Sequence, residues 1–283
     1  MITSIAPVLD GNEIWLAAGG ALLFATFPAG YYMLLPAFAA PIALMLAALV
    51  LRGAAVGLRP RSRSRSPAWD LAFALGSILA VLCQGLLLGG LIDGATGAGA
   101  LPGDDPLGLV TPLGTICALG LIGGYGLIGA GWLVWKNGDA GTRVGRRAVQ
   151  PLLALTAAML ALGGVWGAWN VPSAATLTVT AAMLAVLAAI GHALAAERGA
   201  RLLVLTMVLF ALGIVALAAL LWRSLLPLDA TLWDSLANSH ALGLLMAGIT
   251  IALPLVLVHQ AYAFRGFRRR PRIHGRRPGA AQP

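Results

Sequence analysis

Apolar runs separated by short polar linkers account for most of this chain. A helix that crosses a bilayer needs about 20 mostly apolar residues. Eight runs meet that length: Gly11–Tyr31, Leu34–Leu58, Trp69–Ile92, Leu107–Trp135, Val149–Trp166, Ala174–Ala195, Leu202–Trp222 and Ala237–Phe264. The pattern predicts an all-α integral membrane protein. Residues 1–267 form one polytopic domain and 268–283 a basic tail, expected to be disordered and to meet anionic lipid headgroups.

The linkers give the runs an orientation. Arg52, Arg59, Arg61, Arg63 and Arg65 follow the second run, and Lys136, Arg143, Arg146 and Arg147 follow the fourth. Arg198 and Arg201 follow the sixth; Arg265, Arg268, Arg269, Arg270, Arg272, Arg276 and Arg277 follow the eighth. Of the 19 Lys and Arg residues, only Arg223 falls in the other linkers, which instead hold Asp93, Asp104, Asp105, Asp229 and Asp234. That alternation is the positive-inside pattern. It supports eight spans rather than seven, with both termini of this chain cytoplasmic.

Composition agrees. The chain is 59% hydrophobic and 10% charged with mean hydropathy +0.88, against about 25% charged for a soluble domain. The 36 glycines suit helices that approach closely in lipid. The net charge of +9 resides in the linkers, so it points to topology and away from nucleic acid. The Arg/Ser segment Arg59–Pro67 likewise reads as a solvated cytoplasmic loop. Cys83 and Cys117 each sit in an apolar run with no CxxC spacing, and are expected to behave as small hydrophobes. Met1–Ile5 carries no basic n-region, so no cleavable signal peptide is expected.

Several motifs have to be weighed against plain packing. Gly124-Tyr125-Gly126-Leu127-Ile128-Gly129 matches G-x-G-x-x-G, but inside a span, without the strand and acidic partner of a nucleotide fingerprint. Helix packing accounts for it better, as it does for Gly85/Gly89 and Gly163/Gly167. His192, His240 and His259 lie near span ends and His274 in the tail. They lack H-x-x-H or HExxH spacing and suit interfacial structural roles, although one histidine suffices as an axial haem ligand. No metal site is expected in this chain. Gln84 is a lone amide in mid-span, expected to bond across helices. Asp70 begins the third run where Arg52 ends the second, and the two are expected to pair at the same membrane face.

Asp10, Asn12 and Glu13 stand at the mouth of the first run. Asp10 and Glu13 are three apart and share a face of a helix. One reading is a cap, with Asp10 or Asn12 satisfying free N–H groups and the acids complementing the helix dipole. The other is proton transfer, because ionisable groups in such a setting are costly and mark function.

The stretch Ile5-Ala6-Pro7-Val8-Leu9-Asp10-Gly11-Asn12-Glu13-Ile14-Trp15, followed by Gly19-Gly20-Ala21-Leu22-Leu23-Phe24-Ala25-Thr26-Phe27-Pro28, resembles subunit II of the cytochrome bd-type quinol oxidases. Leu51-Arg52-Gly53, Trp69-Asp70 with Gly76-Ser77 and Gln84-Gly85, Gly124-Tyr125 through Trp132-Leu133-Val134-Trp135-Lys136, Thr231-Leu232-Trp233-Asp234 and Phe264-Arg265-Gly266 extend the resemblance over essentially the whole chain. Two departures stand out. Leu9 occupies a position where the family usually has tryptophan. The family also carries one more transmembrane helix before the Ile-Ala-Pro motif, which starts four residues after Met1 here, so a truncated start is expected.

The resemblance implies two four-helix bundles plus a peripheral helix, in a non-haem subunit paired with a haem-bearing subunit I. In that family a small single-helix subunit sometimes joins the pair. The partner holds haems b and d and oxidises quinol, reducing oxygen to water with cytoplasmic protons. Asp10 then resembles a proton-uptake residue, with Asn12 and Glu13 extending the route. Some members hold a structural quinone in subunit II, with no position implied here. Two other readings compete: a secondary transporter, with Pro36, Pro41 and Pro254 breaking spans, and a purely structural assembly subunit.

Overall fold

The structure, a computed structural model, describes residues 6–59, 67–96, 108, 110–195, 199–225 and 238–268. For 6–14, 29, 33, 136–146, 195, 199, 222–225, 239, 260 and 263–268 it describes the backbone alone. The tail beyond Arg268 and the Arg/Ser segment 60–66 lie outside the described residues.

The described residues form helices only: α1 Ala6–Thr26, α2 Pro28–Ala37, α3 Ala39–Leu58, α4 Pro67–Thr96, α5 Pro112–Asn170, α6 Ala174–Ala195, α7 Gly199–Leu225 and α8 Ser239–Arg268. They supply seven segments long and apolar enough to cross a bilayer, or eight if the broken pair α1–α2 counts as one span. In lipid every backbone polar group needs an internal partner, and helices provide it. The chain is a multi-pass membrane protein.

Proline sets several of the boundaries. Pro28, Pro67 and Pro112 each open a helix, the position where a missing N–H costs nothing. The expected first run therefore stops at Thr26, and its last residues belong to α2. Phe38 separates α2 from α3 with φ −108° and ψ 8°. It lies between Pro36 and Pro41, each of which removes one helical hydrogen bond. Phe38 N–H still donates to the Leu34 carbonyl at 3.0 Å, and the Phe38 carbonyl accepts from Ile42 at 3.0 Å. Pro254 behaves differently: α8 runs through it unbroken.

The expected linker after the fourth run is also helical, since α5 is continuous for 59 residues. Its two halves nevertheless face each other. A Cβ on Gly123 would lie 2.4 Å from Thr156 Oγ1, and one on Gly163 would lie 3.7 Å from Ile116. Residues so far apart on a straight helix never meet, at about 1.5 Å of rise per residue. The chain direction must therefore reverse between Trp135 and Arg147.

The chain divides into two compact units, Met1–Tyr31 with Leu236–Pro283 and Tyr32–Ser235. In the larger unit, successive spans from α3 to α7 pack as antiparallel neighbours. One buried cluster joins Leu127, Ala130 and Val149 of α5 to Leu187 and Ile190 of α6 and to Leu202 and Leu209 of α7. A second joins Met45, Ala48 and Leu49 of α3 to Ala80 and Cys83 of α4. Buried Thr206 and Thr156 satisfy their hydroxyls by donating to the carbonyls of Leu202 and Leu152, both at 2.8 Å. In the smaller unit, α1 packs with α8.

Candidate functional site

Asp10, Asn12 and Glu13 lie on helical backbone. Because α1 begins at Ala6, Asp10 stands a full turn inside it and no acid falls in its first turn. The capping expectation for Asp10 and Asn12 is thereby corrected: the N–H groups that a cap would satisfy belong to residues earlier in the chain. The side chains of all three lie outside the described residues.

The α3–α4 end corrects a second expectation. Asp70 pairs with Arg59, Nε to Oδ1 at 2.7 Å and a second guanidinium nitrogen to Oδ2 at 3.1 Å. The reason is register. Arg52 lies beside Gly76, whose Cβ would sit 3.3 Å from Arg52 Cβ and 2.8 Å from the Ala48 carbonyl. On antiparallel helices, stepping back along α4 from Gly76 to Asp70 moves the partner forward on α3 from Arg52 to Arg59. Asp70 also occupies the first turn of α4, where a carboxylate complements the helix dipole. Gln84 neighbours Cys83 of the α3–α4 cluster, and its Oε1 is buried with no hydrogen bond among the described residues.

At the opposite end of the larger unit is a polar contact that the sequence reading missed. Asp93, placed in a linker by the hydropathy pattern, lies in the last turns of α4 and is only 8% exposed. Thr111 Oγ1 donates to Asp93 Oδ2 at 2.9 Å and accepts from Gly114 N–H at 2.9 Å, capping α5. The Thr111-Pro112 pair carries the signal for this helix start. The carboxylate partner has no local signal.

Between this contact and the Arg59–Asp70 end runs a glycine seam. A Cβ on Gly85 would lie 2.1 Å from Ala118 Cα, and one on Gly89 2.3 Å from Gly114 Cα. Only residues without a side chain permit backbones so close. The G-x-G-x-x-G motif makes room for side chains rather than backbone: Gly124 faces the Phe210 ring and Gly126 the Leu152 side chain, while Gly129 faces open space. The motif lies wholly within α5, so a nucleotide-binding turn is ruled out.

The ends of the larger unit differ in charge. Arg59, Arg147 and Arg201 lie where α3, the α5 hairpin and α7 meet one face of the bundle. Asp93 and Thr111 lie at the other. His192, His240 and His259 are all exposed in this chain; His274 lies outside the described residues. Among the described residues no three His, Cys, Asp or Glu side chains come together. Cys83 and Cys117 are free thiols.

The family profile described as cytochrome bd terminal oxidase subunit II matches residues 1–267. Over 98 residues the chain is 37% identical to the cytochrome bd-I ubiquinol oxidase subunit 2 of Escherichia coli, covering 33% of this chain and 25% of the relative. Over a stretch of equal length and coverage it is 35% identical to a probable cytochrome oxidase subunit 2 of Haemophilus influenzae. With cytochrome bd ubiquinol oxidase subunit 2 of Bacillus subtilis it shares 32% over 96 residues, 28% of that protein. The matched stretch thus spans about a quarter of the length of each curated relative. With a profile running from the first residue through the last spanning helix, the chain belongs to the cytochrome bd terminal oxidase subunit II family.

Proposed function

We propose that this chain is the non-haem partner in a quinol:oxygen oxidoreductase, bound to a haem-bearing subunit I. The observation that carries the proposal is the family match over residues 1–267. The relatives named as ubiquinol oxidase subunits add to it. In this reading the chain has no activity alone. The partner carries haems b and d and the quinol site, and a small single-helix subunit and membrane lipid complete the assembly. The spans cross a bacterial cytoplasmic membrane, with the Arg59, Arg147 and Arg201 face inward. The transporter reading loses its ground to the family match.

The proposal extends to a proton-uptake path. Oxygen reduction consumes protons at a buried centre, and a carboxylate near the cytoplasmic face can relay them. Asp10 is the candidate, with Glu13 three residues on along the same helical face. Asn12 is offset from that face by helical periodicity and serves as a flanking hydrogen-bonding group. The position of Asp10 inside α1 supports this reading, because helix capping no longer explains the residue.

The test is co-purification. A tagged chain expressed with its upstream and downstream genes should carry a haem-bearing partner, with haem b and d absorption bands and oxygen consumption driven by quinol. A monodisperse chain that carries no haem protein would remove the proposal. Within an assembled oxidase, Asp10→Asn should slow turnover, and full turnover would leave Asp10 without a proton role.

A further inference from the structure

We propose that the groove between the end of α6 and the start of α7 holds an anionic glycerophospholipid of the surrounding leaflet, phosphate on Arg201 and acyl chain along the helices. The inference uses the membrane reading alone and does not depend on oxidase activity.

The groove is shallow and open to the surrounding lipid, with room for about 430 Å³. The sequence explains why it is open. Ala189 and Ala193 are small and lie one turn apart on α6, leaving room opposite Val204 and Leu205 of α7. Below the rim the walls are aliphatic. At the rim each helix contributes one polar group, His192 in the last turn of α6 and Arg201 in the first turn of α7. Both side chains are exposed, and Arg201 has no carboxylate partner among the described residues. The intervening Glu197 and Arg198 lie outside the described residues.

The depth of the groove decides its occupant. The spans Ala174–Leu194 and Ala200–Leu221 both end here, so His192 and Arg201 stand at the boundary between hydrocarbon and headgroups. Arg201 to Leu205 is one helical turn, about 6 Å along the axis. A molecule filling both regions needs an anionic head and an apolar tail a turn deeper. The guanidinium fork of Arg201 matches phosphate oxygens in pairs, and the His192 ring N–H adds a donor. The first free N–H groups of α7 favour an anion here, while the terminal carbonyls of α6 oppose it. Arg201 therefore decides the sign. A soluble anion would use the rim alone and leave the aliphatic wall of Ala189, Ala193, Val204 and Leu205 unoccupied.

The experiment uses the full chain in its purified complex, reconstituted in phosphatidylcholine nanodiscs containing a minority of phosphatidylglycerol. After detergent extraction, the lipid retained per protein is counted by mass spectrometry. Wild type is expected to retain phosphatidylglycerol in preference to phosphatidylcholine. Arg201→Gln should lower that retention about five-fold, the worth of one arginine at an anionic leaflet, and Arg201→Lys should keep most of it. Val204→Trp fills the groove from the lipid side without touching the core and should also lower retention. Arg147→Gln, an exposed cation elsewhere on the same face, should leave it unchanged. Equal retention in wild type, Arg201→Gln and Val204→Trp would overturn the proposal. So would equal retention of phosphatidylcholine, or complete displacement by millimolar inorganic phosphate, which would mark a soluble-anion site.

Discussion

The α4–α5 pair and the α1–α8 pair are both apolar and both rich in glycine, yet their glycines serve different ends. Gly85 and Gly89 of α4 leave no room for a methyl group, because the α5 backbone occupies that space. Gly19 and Gly20 of α1 and Gly243 and Gly248 of α8 meet nothing within 4 Å. On α8 large apolar side chains point outward, with Leu244 78% and Tyr262 77% exposed. Lipid offers no hydrophobic drive between helices, so close backbone approach is what holds a bundle together. The larger unit has that approach. Among its described residues the smaller unit shows no glycine in such an approach, and it carries the acidic stretch instead. A small-xxx-small spacing alone does not separate the two cases. Only the atoms opposite each glycine do.

The contrast breaks most easily at the seam. Gly85→Val and Gly89→Val place a branched side chain where the facing backbone stands 2.1 Å and 2.3 Å from the first added carbon. The penalty should exceed the about 1–3 kcal/mol of ordinary overpacking. We expect loss of monodisperse protein in size-exclusion chromatography. Gly19→Ala and Gly248→Ala in the same chain should melt within about 0.5 kcal/mol of wild type. Recovery of Gly85→Val at the wild-type melting temperature would mean that α4 and α5 do not touch as described.

The Asp93–Thr111 contact ranks next. Thr111→Val removes the α5 cap, worth about 1 kcal/mol. It also leaves Asp93 Oδ2 buried without its donor, a further roughly 1–3 kcal/mol. Asp93→Asn keeps an acceptor and should cost less than Thr111→Val in thermal melts of the purified protein. The reverse order would show that the cap, not the buried acceptor, is the minor part.

The smallest effect is at Arg59–Asp70. The side chains are 37% and 51% exposed, and such pairs contribute about 0.2–1 kcal/mol. A double-mutant cycle should find that coupling for Arg59–Asp70 and a smaller one for Arg52–Asp70. The opposite ranking would shift the α3–α4 register by two turns.

Much of this arrangement was legible in the sequence. The apolar runs located α3 to α8 because lipid allows little else, and α6 ends where its run ends. The proline-set breaks at Phe27 and Phe38 were visible as residue types, though their effects were not equal: Pro254 leaves α8 intact. What could not be read was register. Asp70 meets Arg59 and not Arg52 because antiparallel contact carries each step back on α4 forward along α3, and hydropathy holds no such phase. Asp93 looked like a linker acid because a hydropathy window ends at any charge, whereas a buried carboxylate with a threonine donor continues the helix. The reversal between the fourth and fifth runs was legible from the basic linker between Lys136 and Arg147, but helical backbone through it was not, because Asn137, Gly138, Asp139, Gly141 and Gly145 are poor helix formers. Asp10 looked like a cap because the apolar run starts after it, while the helix itself starts at Ala6.

The proton-uptake proposal rests on Asp10, placed where protons would leave the cytoplasm. The direct measurement is quinol-driven oxygen consumption by the assembled complex carrying Asp10→Asn, with haem absorption reporting assembly and Asp10→Glu as the conservative control. Intact haem bands are expected, with turnover about tenfold or more below wild type for Asp10→Asn and substantial recovery with Asp10→Glu. Wild-type turnover in a fully assembled Asp10→Asn oxidase would contradict the proposal.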